Sequence, residues 1–148
     1  MAVEHQLEGD TAVYTIIGLF DRDTAKQYLS LNTQDYNQIG DALGAIIDYR
    51  QMTRFTISGL RIVQENLRGV QFETPVAFIG NPDSILITFL KGLEALTSRG
   101  NSRFSFFKDL DEAQKWIDAW YVTNRKDRQA LRGQVSTTYH FPRQQQTE

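Results

Sequence analysis

The sequence has no cysteine and only two histidines among its 148 residues. The absence of cysteine excludes disulfides, thiolate metal sites and a cysteine nucleophile. The two histidines, His5 and His140, stand alone, without further ligand residues at the spacing that a metal site requires. We therefore predict that both are solvated surface residues and that the chain holds no metal.

The short motifs by which enzymes hold cofactors and nucleophiles are also missing. There is no serine-elbow motif, no P-loop and no dinucleotide-binding fingerprint, so we expect no cofactor. Two pairs of carboxylates, Asp21 with Asp23 and Asp109 with Asp111, are candidates for acid–base catalysis. Each pair flanks a predicted helix start, where helix capping accounts for it without catalysis. With no nucleophile beside a positioned base, we predict that the protein is not an enzyme.

Strong charge of one sign and long apolar runs are absent as well. The formal net charge of −2 and the pI near 5.7 give no general attraction to nucleic acid or to an anionic bilayer. No stretch approaches the roughly 18 consecutive apolar residues of a membrane span, and residues 1–10 lack the apolar core of a signal peptide. We therefore expect a cytoplasmic protein that binds no nucleic acid and does not span a membrane.

The chain does contain enough apolar material for one hydrophobic core. A content of 41% apolar residues in 148 positions suits a single domain. We place this domain at residues 1–132 and predict that residues 133–148, which are polar, form a flexible tail. Just before this boundary lies a basic group of four residues, Arg125, Lys126, Arg128 and Arg132. Favourable interaction with the dipole at a helix C-terminus explains this group more simply than a nucleic-acid or lipid contact does.

Hydrophobic periodicity predicts that strands and helices alternate along most of the chain. A weakly alternating run before Gly9 and Asp10, and an apolar run after them, indicate a β-hairpin. Residues 75–80 form the continuous apolar run that is typical of a strand buried on both faces. Asp109 and Glu112 form a capping box in front of a helix with an apolar stripe. The predicted order is strand, strand, helix, strand, helix, strand, helix, strand, helix.

This order restricts the topology. Strands joined through helices must run parallel, so only the opening hairpin can be antiparallel. We predict an α/β fold with a mixed, mostly parallel sheet of about five strands, opened by an antiparallel hairpin, and about four helices packed mainly on one face. The first helix starts after Asp21, with helical spacing that continues to Ile46, and another follows the capping sequence Asn81-Pro82-Asp83.

The segment from residue 45 to residue 69 is the one around which the rest is organised. It predicts a buried strand at residues 45–49, a polar connector, and a helix that opens at Phe55 or Thr56 and closes at Gly69. Open α/β sheets place their binding sites beyond the carboxyl ends of their strands. A functional site on this layer is therefore expected at residues 50–58.

The order of elements and several short motifs resemble the STAS fold of bacterial anti-sigma-factor antagonists. Members carry a G-x-x-D-x-x-x-A segment after the second strand, matched here by Gly18, Asp21 and Ala25. Members also have a strand that ends in aspartate and leads to D-S-[ST]-G-L, matched in part by Asp48, Ser58, Gly59 and Leu60. The closing residues 106–113, followed by Trp116, are similar to a STAS/SEC14-like subgroup of uncharacterised bacterial proteins.

The resemblance implies a regulatory protein-interaction module, whose partner would be an anti-sigma factor or a kinase-like protein. In the antagonists a partner kinase phosphorylates the serine just before the [ST]-G-L triplet, and Ile57 stands at that place here. Ser58 could accept a phosphate one position further on. Alternatively, Thr56 and Ser58 only cap the helix. The candidate docking and switch residues are Asp21, Thr53, Thr56, Ser58 and Gly59.

Aromatic residues concentrated in the last third of the chain suggest a second function of a different class. Most are expected in the core, but some could line a pocket between the last helices and the sheet: Phe89, Phe106, Trp116 and Trp120. Such a pocket would take a small apolar or lipid ligand. The aromatic surplus and the exposed edge of the predicted hairpin are also compatible with a homodimer.

Overall fold

The structure is a computed structural model that describes residues 2–67, 74–81 and 104–136. Its described strands are β1 (Val3–Glu8), β2 (Thr11–Phe20), β3 (Gly44–Phe55), β4 (Val76–Ile79) and β5 (Phe104–Phe107). Its described helices are α1 (Arg22–Ile39), α2 (Ile57–Leu67), α3 (Leu110–Thr123) and the short α4 (Arg128–Leu131). The helix predicted after Asn81 falls outside the described residues. Within the described ranges, no helix has the length and apolar character needed to cross a membrane.

The strands form one sheet in the order β1, β2, β3, β4, β5. β1 and β2 pair antiparallel, and every following pair is parallel. The opening hairpin turns at Gly9, whose φ of 61° is a left-handed conformation that glycine adopts without steric cost. The predicted fold class, a mixed and mostly parallel sheet opened by an antiparallel hairpin, is confirmed.

Helices cover both faces of the sheet. α1 and α2 pack on one face, in a cluster that includes Tyr14 of β2, Leu29 of α1 and Leu60 of α2. α3 packs on the other face, where Ile46 and Ile117 are fully buried. The expectation that the helices lie mainly on one face is therefore wrong for α3. The physical reason is that the central strands have apolar residues on both sides, so each face must be covered.

α1 is an uninterrupted helix that ends earlier than its apolar spacing predicts. The apolar spacing that runs on to Ile46 is not helical beyond Ile39, because Gly40 takes a φ of 74° and its N–H donates to the carbonyl of Tyr36 at 2.7 Å. A Cβ atom at this position would also overlap the backbone of Gln134. Gly40 therefore ends the helix, and Ile46 lies in β3.

β3 is longer than the predicted strand at residues 45–49. It continues to Phe55, because residues 51–55 pair with the end of β2. β4 pairs with β3 only as far as Asp48, so the last part of β3 extends beyond its other neighbour. This extension is polar and mostly exposed, which is why its sequence has the character of a connector.

Candidate functional site

Two strand ends and two helix starts meet at one edge of the sheet. β2 leads into α1 at Asp21, and its parallel neighbour β3 leads into α2 at Thr56. The N–H of Thr56 donates to the carbonyl of Phe20 at 3.0 Å. Gly59 lies so close to the same junction that a Cβ atom there would be 2.7 Å from the carbonyl oxygen of Phe20. The absence of a side chain at residue 59 is therefore what allows α2 to start beside α1.

Thr56 is the N-cap of α2. Its Oγ1 accepts a hydrogen bond from the N–H of Gly59 at 3.0 Å, which satisfies one of the unpaired donors at the helix start. The Oγ atom of Ser58 lies 3.1 Å from the same Oγ1. The capping role considered for Thr56 and Ser58 is thus carried out by Thr56, and Ser58 is a half-buried hydroxyl beside the cap.

Asp21 has the same role at the start of α1. Its Oδ1 accepts a hydrogen bond from the N–H of Thr24 at 3.0 Å. This bond stabilises the charged carboxylate and therefore holds the pKa of Asp21 below its usual value. The hydroxyl of Thr24 donates in turn to the carbonyl of Leu19 at 3.1 Å. Each helix start thus has one of its backbone N–H groups capped by a side chain within the junction.

Ile57 is the exposed apolar residue of this junction. Its relative exposure is 73%, whereas Leu60 and Ile62 further along α2 are buried. An isoleucine this exposed gains little from folding, since the apolar area it removes from water is small. Thr53 and Arg54, at the end of β3, are exposed as well. The structure therefore brings the predicted docking residues into or next to one junction: Asp21, Thr53, Thr56, Ser58 and Gly59.

Asp48 lies away from this junction. It follows Ile46 by two residues in β3, so its side chain is on the face of the sheet that α3 covers. Its carboxylate accepts hydrogen bonds from Nε of Arg50 at 3.0 Å and from Nη2 of Arg50 at 2.7 Å. These bonds raise the pKa of Arg50. Asp48 therefore neutralises Arg50 and does not face Ser58.

The predicted aromatic pocket is divided by the sheet. Phe106 stacks on Phe78 with ring centroids 5.3 Å apart, on the face that carries α1 and α2. Trp116 and Trp120 belong to the cluster under α3 on the opposite face. Phe89 lies outside the described residues. The three described aromatics thus do not line a common space, although Trp116 and Trp120 share one side.

Trp120 has an unusual environment within its cluster. It is 8% exposed, and its indole N–H is buried without a hydrogen-bond partner in the described part of the chain. Nζ of Lys126 lies 5.2 Å from the centre of the Trp120 ring. A buried donor without an acceptor costs free energy, roughly 1–3 kcal/mol, so this N–H is a point where an acceptor would be bound favourably.

His5 lies on the exposed part of β1, as the sequence predicts, but its side chain is engaged in a network. Its Nε2 lies 2.7 Å from Oδ2 of the buried Asp35, and its ring stacks on Tyr14. Tyr14 donates its hydroxyl to the same carboxylate oxygen at 2.5 Å. Burial and this hydrogen bond raise the pKa of Tyr14. The network joins β1 to α1 across 30 residues, a distance over which no local sequence pattern could have revealed it.

A C-terminal strap, residues 127–134, closes the opposite edge of the sheet. Arg128 donates from Nε to the carbonyl of Ala42 at 2.9 Å and from Nη2 to the carbonyl of Asp10 at 3.0 Å. Its guanidinium also lies 4.7 Å from the centre of the Tyr121 ring. Arg128, which the sequence predicts to match a helix dipole, instead connects the strap to the body of the domain.

The strap is also held by its backbone. The N–H of Gly133 donates to the carbonyl of Ile39 at 2.7 Å, and the N–H of Asp41 donates to the carbonyl of Gln134 at 2.8 Å. The contacts of the strap thus extend past the domain boundary predicted at residue 132.

Comparison with known proteins identifies the fold. No protein-family model matches the chain, and no curated protein matches it. Among solved structures, it is similar to an uncharacterised protein of the DUF3478 family with a SpoIIAA-like fold from Shewanella loihica PV-4. The identity is 18% and the TM-score 0.57, over 78% of this chain and 92% of that one.

Two further similar structures are anti-sigma-factor antagonists. One, from Mycobacterium paratuberculosis, is 18% identical with a TM-score of 0.53, over 78% of this chain and 92% of its own. The other, SpoIIAA in its unphosphorylated form, is 13% identical with a TM-score of 0.51, over 80% and 97% of the two chains. The STAS-like fold predicted from the order of elements is therefore confirmed.

Proposed function

We propose that the protein is a non-catalytic regulatory module that binds another protein through a docking surface formed by Asp21, Thr53, Thr56, Ile57, Ser58 and Gly59. One observation carries this proposal. Ile57 exposes an aliphatic side chain in a junction whose helix caps are already formed. A single exposed apolar side chain is common on protein surfaces, but Ile57 lies beyond the carboxyl ends of β2 and β3, where open α/β sheets place their binding sites.

The fold directs the proposal toward a regulatory partner. The similar structures include two anti-sigma-factor antagonists, which supports an anti-sigma factor or a kinase-like protein as the class of partner. Binding would rest on surface complementarity. Because the Thr56 cap and the close packing of Gly59 hold the start of α2 in place, little conformational entropy would be lost on association.

Ser58 is the candidate for a switch within this surface. Ile57 has no hydroxyl, whereas Oγ of Ser58 lies beside the cap of α2. A phosphate on Ser58 would sit at the positive end of a helix, where backbone N–H groups favour an anion. It would also place about two negative charges next to Ile57 and so change the chemistry of the surface.

Photo-cross-linking from residue 57 in the source cells tests the docking surface. A photoreactive amino acid at position 57 is expected to capture one dominant protein. The matched control is position 122, because Val122 is similarly exposed, at 77%, but lies on α3. Equal capture from both positions, or none from position 57, would contradict the proposal. Ser58→Glu, measured on the captured partner by calorimetry, then tests the switch, and an unchanged affinity would exclude it.

A binding site for a small apolar or lipid ligand under α3 is the second candidate function. The unpartnered indole N–H of Trp120, next to Trp116 on the same face, favours it. Such a site suits a ligand with an apolar body and one hydrogen-bond acceptor. Native mass spectrometry of protein purified from its source should show a bound ligand that Trp120→Phe releases. A ligand-free mass for the wild type would contradict this candidate.

A further inference from the structure

The sequence around the docking surface carries positive charge that the chain as a whole does not have. Residues 49–64 contain three arginines, Arg50, Arg54 and Arg61, and no aspartate or glutamate. The whole chain, by contrast, has a formal net charge of −2. Asp48 and Glu65 border this segment, so the positive charge is concentrated between them, around Ile57.

Two of these arginines are not neutralised within the described part of the chain. Arg50 is bound to the carboxylate of Asp48 through two of its nitrogens, so its charge is compensated. Arg54 and Arg61 are exposed, and neither has an ion-pair partner among the described residues. Exposed cations without a partner remain available to an incoming anionic group.

Arg54 and Arg61 both lie close to Ile57. Arg61 follows Ile57 by four residues on α2, which places their Cβ atoms about 5–6 Å apart on one side of the helix. Arg54 precedes Ile57 by three residues, so the chain can separate their Cα atoms by at most about 11 Å. Both arginines are thus near enough to Ile57 for their long side chains to reach a group bound over it.

The neighbouring helix start does not cancel this charge. Asp21 caps α1 through its hydrogen bond with the N–H of Thr24, and Asp23 is an exposed acid in the same turn. Between these two acids lies the exposed Arg22. The first turn of α1 therefore adds one more negative than positive charge, against the two free arginines beside Ile57.

From this arrangement we propose that the partner presents an acidic surface around an apolar pocket. Ile57 enters the pocket, and Arg54 and Arg61 pair with carboxylates at its rim. An apolar centre with a charged rim is the usual arrangement of a specific interface, in which the rim sets the partner and the rate of association. The inference rests on the proposed function and specifies the chemistry of its partner. It also predicts that phosphorylation of Ser58 weakens binding, because the phosphate would repel an acidic partner.

Selection of peptides from a random library tests this inference without knowledge of the natural partner. Twelve-residue peptides displayed on phage are selected on the immobilised wild-type chain, and the enriched peptides are synthesised. We expect aspartate and glutamate to be enriched around an aliphatic or aromatic residue. Binding of these peptides should weaken as salt is raised, since exposed charge pairs are screened.

Two variants and one control locate the binding of these peptides. Ile57→Ser and the double variant Arg54→Glu/Arg61→Glu should each lower peptide affinity roughly tenfold or more, because one removes the anchor and the other creates like-charge repulsion. The control Lys115→Glu reverses an exposed charge on α3 and should leave affinity unchanged. Circular dichroism of each variant should match the wild type, since the substituted side chains are exposed.

The outcomes separate this inference from the docking surface itself. Peptides that depend on Ile57, but show no acidic enrichment and ignore the arginine reversals, would overturn the acidic partner and leave the docking surface standing. Peptides that bind all the variants equally, or a selection without any enrichment, would overturn both.

Discussion

The two edges of the sheet are held together in different ways. At the edge closed by the C-terminal strap, Arg128 bonds to groups 86 and 118 residues away in the chain. At the docking edge, the caps formed by Asp21 and Thr56 each bond to a group three residues away. The strapped edge is secured by side-chain bonds between distant segments, whereas the side-chain caps at the docking edge are local and a backbone bond from Thr56 to Phe20 joins the two strand ends.

This difference shows how a small domain can keep one edge available for binding. The strap engages side chains and backbone groups at its edge in bonds within the domain. Local caps satisfy the helix starts without using their outward surfaces, which leaves Ile57 and its neighbours accessible. Substitutions should accordingly change stability most at the strapped edge, and binding most at the docking edge.

Arg128→Ala is expected to have the largest effect on stability. It removes the hydrogen bonds from Arg128 to the carbonyls of Ala42 and Asp10, although the Asp10 carbonyl still accepts from the N–H of Gly44. We expect a loss of about 3 kcal/mol in the free energy of unfolding, measured by urea denaturation. Lys115→Ala, which removes a largely exposed cation on α3, is the control. Equal losses of unfolding free energy in Arg128→Ala and Lys115→Ala would contradict the proposed stabilising role of the strap.

Gly59→Ala should have the next largest effect, at the docking edge. The added methyl group would lie 2.7 Å from the carbonyl oxygen of Phe20 and 2.9 Å from that of Asp21, so α2 must shift away from α1. We expect a loss of about 2 kcal/mol, together with weaker binding at Ile57. Arg61→Ala on the same helix meets no such contact and should keep wild-type stability. An unchanged unfolding midpoint for Gly59→Ala would contradict the close packing.

Thr56→Ala tests the cap of α2. It removes the acceptor for the N–H of Gly59, and we expect a loss of about 1 kcal/mol. Thr56→Ser retains the hydroxyl and should recover most of that loss in the same thermal or chemical denaturation experiment. If both variants lose the same amount, the methyl group of Thr56, and not its cap, is responsible.

Ile57→Ser should have the smallest effect on stability and a large effect on binding. The side chain is mostly exposed, so the free energy of unfolding should change by less than about 0.5 kcal/mol. Capture of a partner from position 53 should nevertheless be lost in this variant. Leu60→Ser, in contrast, places a hydroxyl in the core and should destabilise the domain enough to unfold it. A stability loss of similar size in both variants would mean that Ile57 belongs to the core.

Several features of the fold and site follow directly from local sequence. The helix start at Asp109 is visible as a capping box, and the N–H of Glu112 indeed donates to Asp109 at 2.9 Å. Asp21 and Thr56 are likewise hydroxyl or carboxylate residues where strands give way to helices. Such signals are readable because donor and acceptor lie within four residues of each other.

Other features could not be read in this way, since their partners are distant in sequence. The hydrogen bond between His5 and Asp35 spans 30 residues. The extension of β3 to Phe55 depends on pairing with β2, and its own polar residues give no indication of it. The separation of Phe106 from Trp116 depends on which face of the sheet each residue occupies.

Among the described residues, the sequence by itself determined the order of strands and helices, the mostly parallel sheet with its opening hairpin, and the helix start that contains Ile57. Only the tertiary structure decided that Ile57 is exposed, that α3 covers the face opposite α1 and α2, and that Arg128 secures the far edge. The physical reason is that periodicity and capping are interactions between near neighbours in the chain. Exposure and edge closure depend on contacts between segments that meet only after folding.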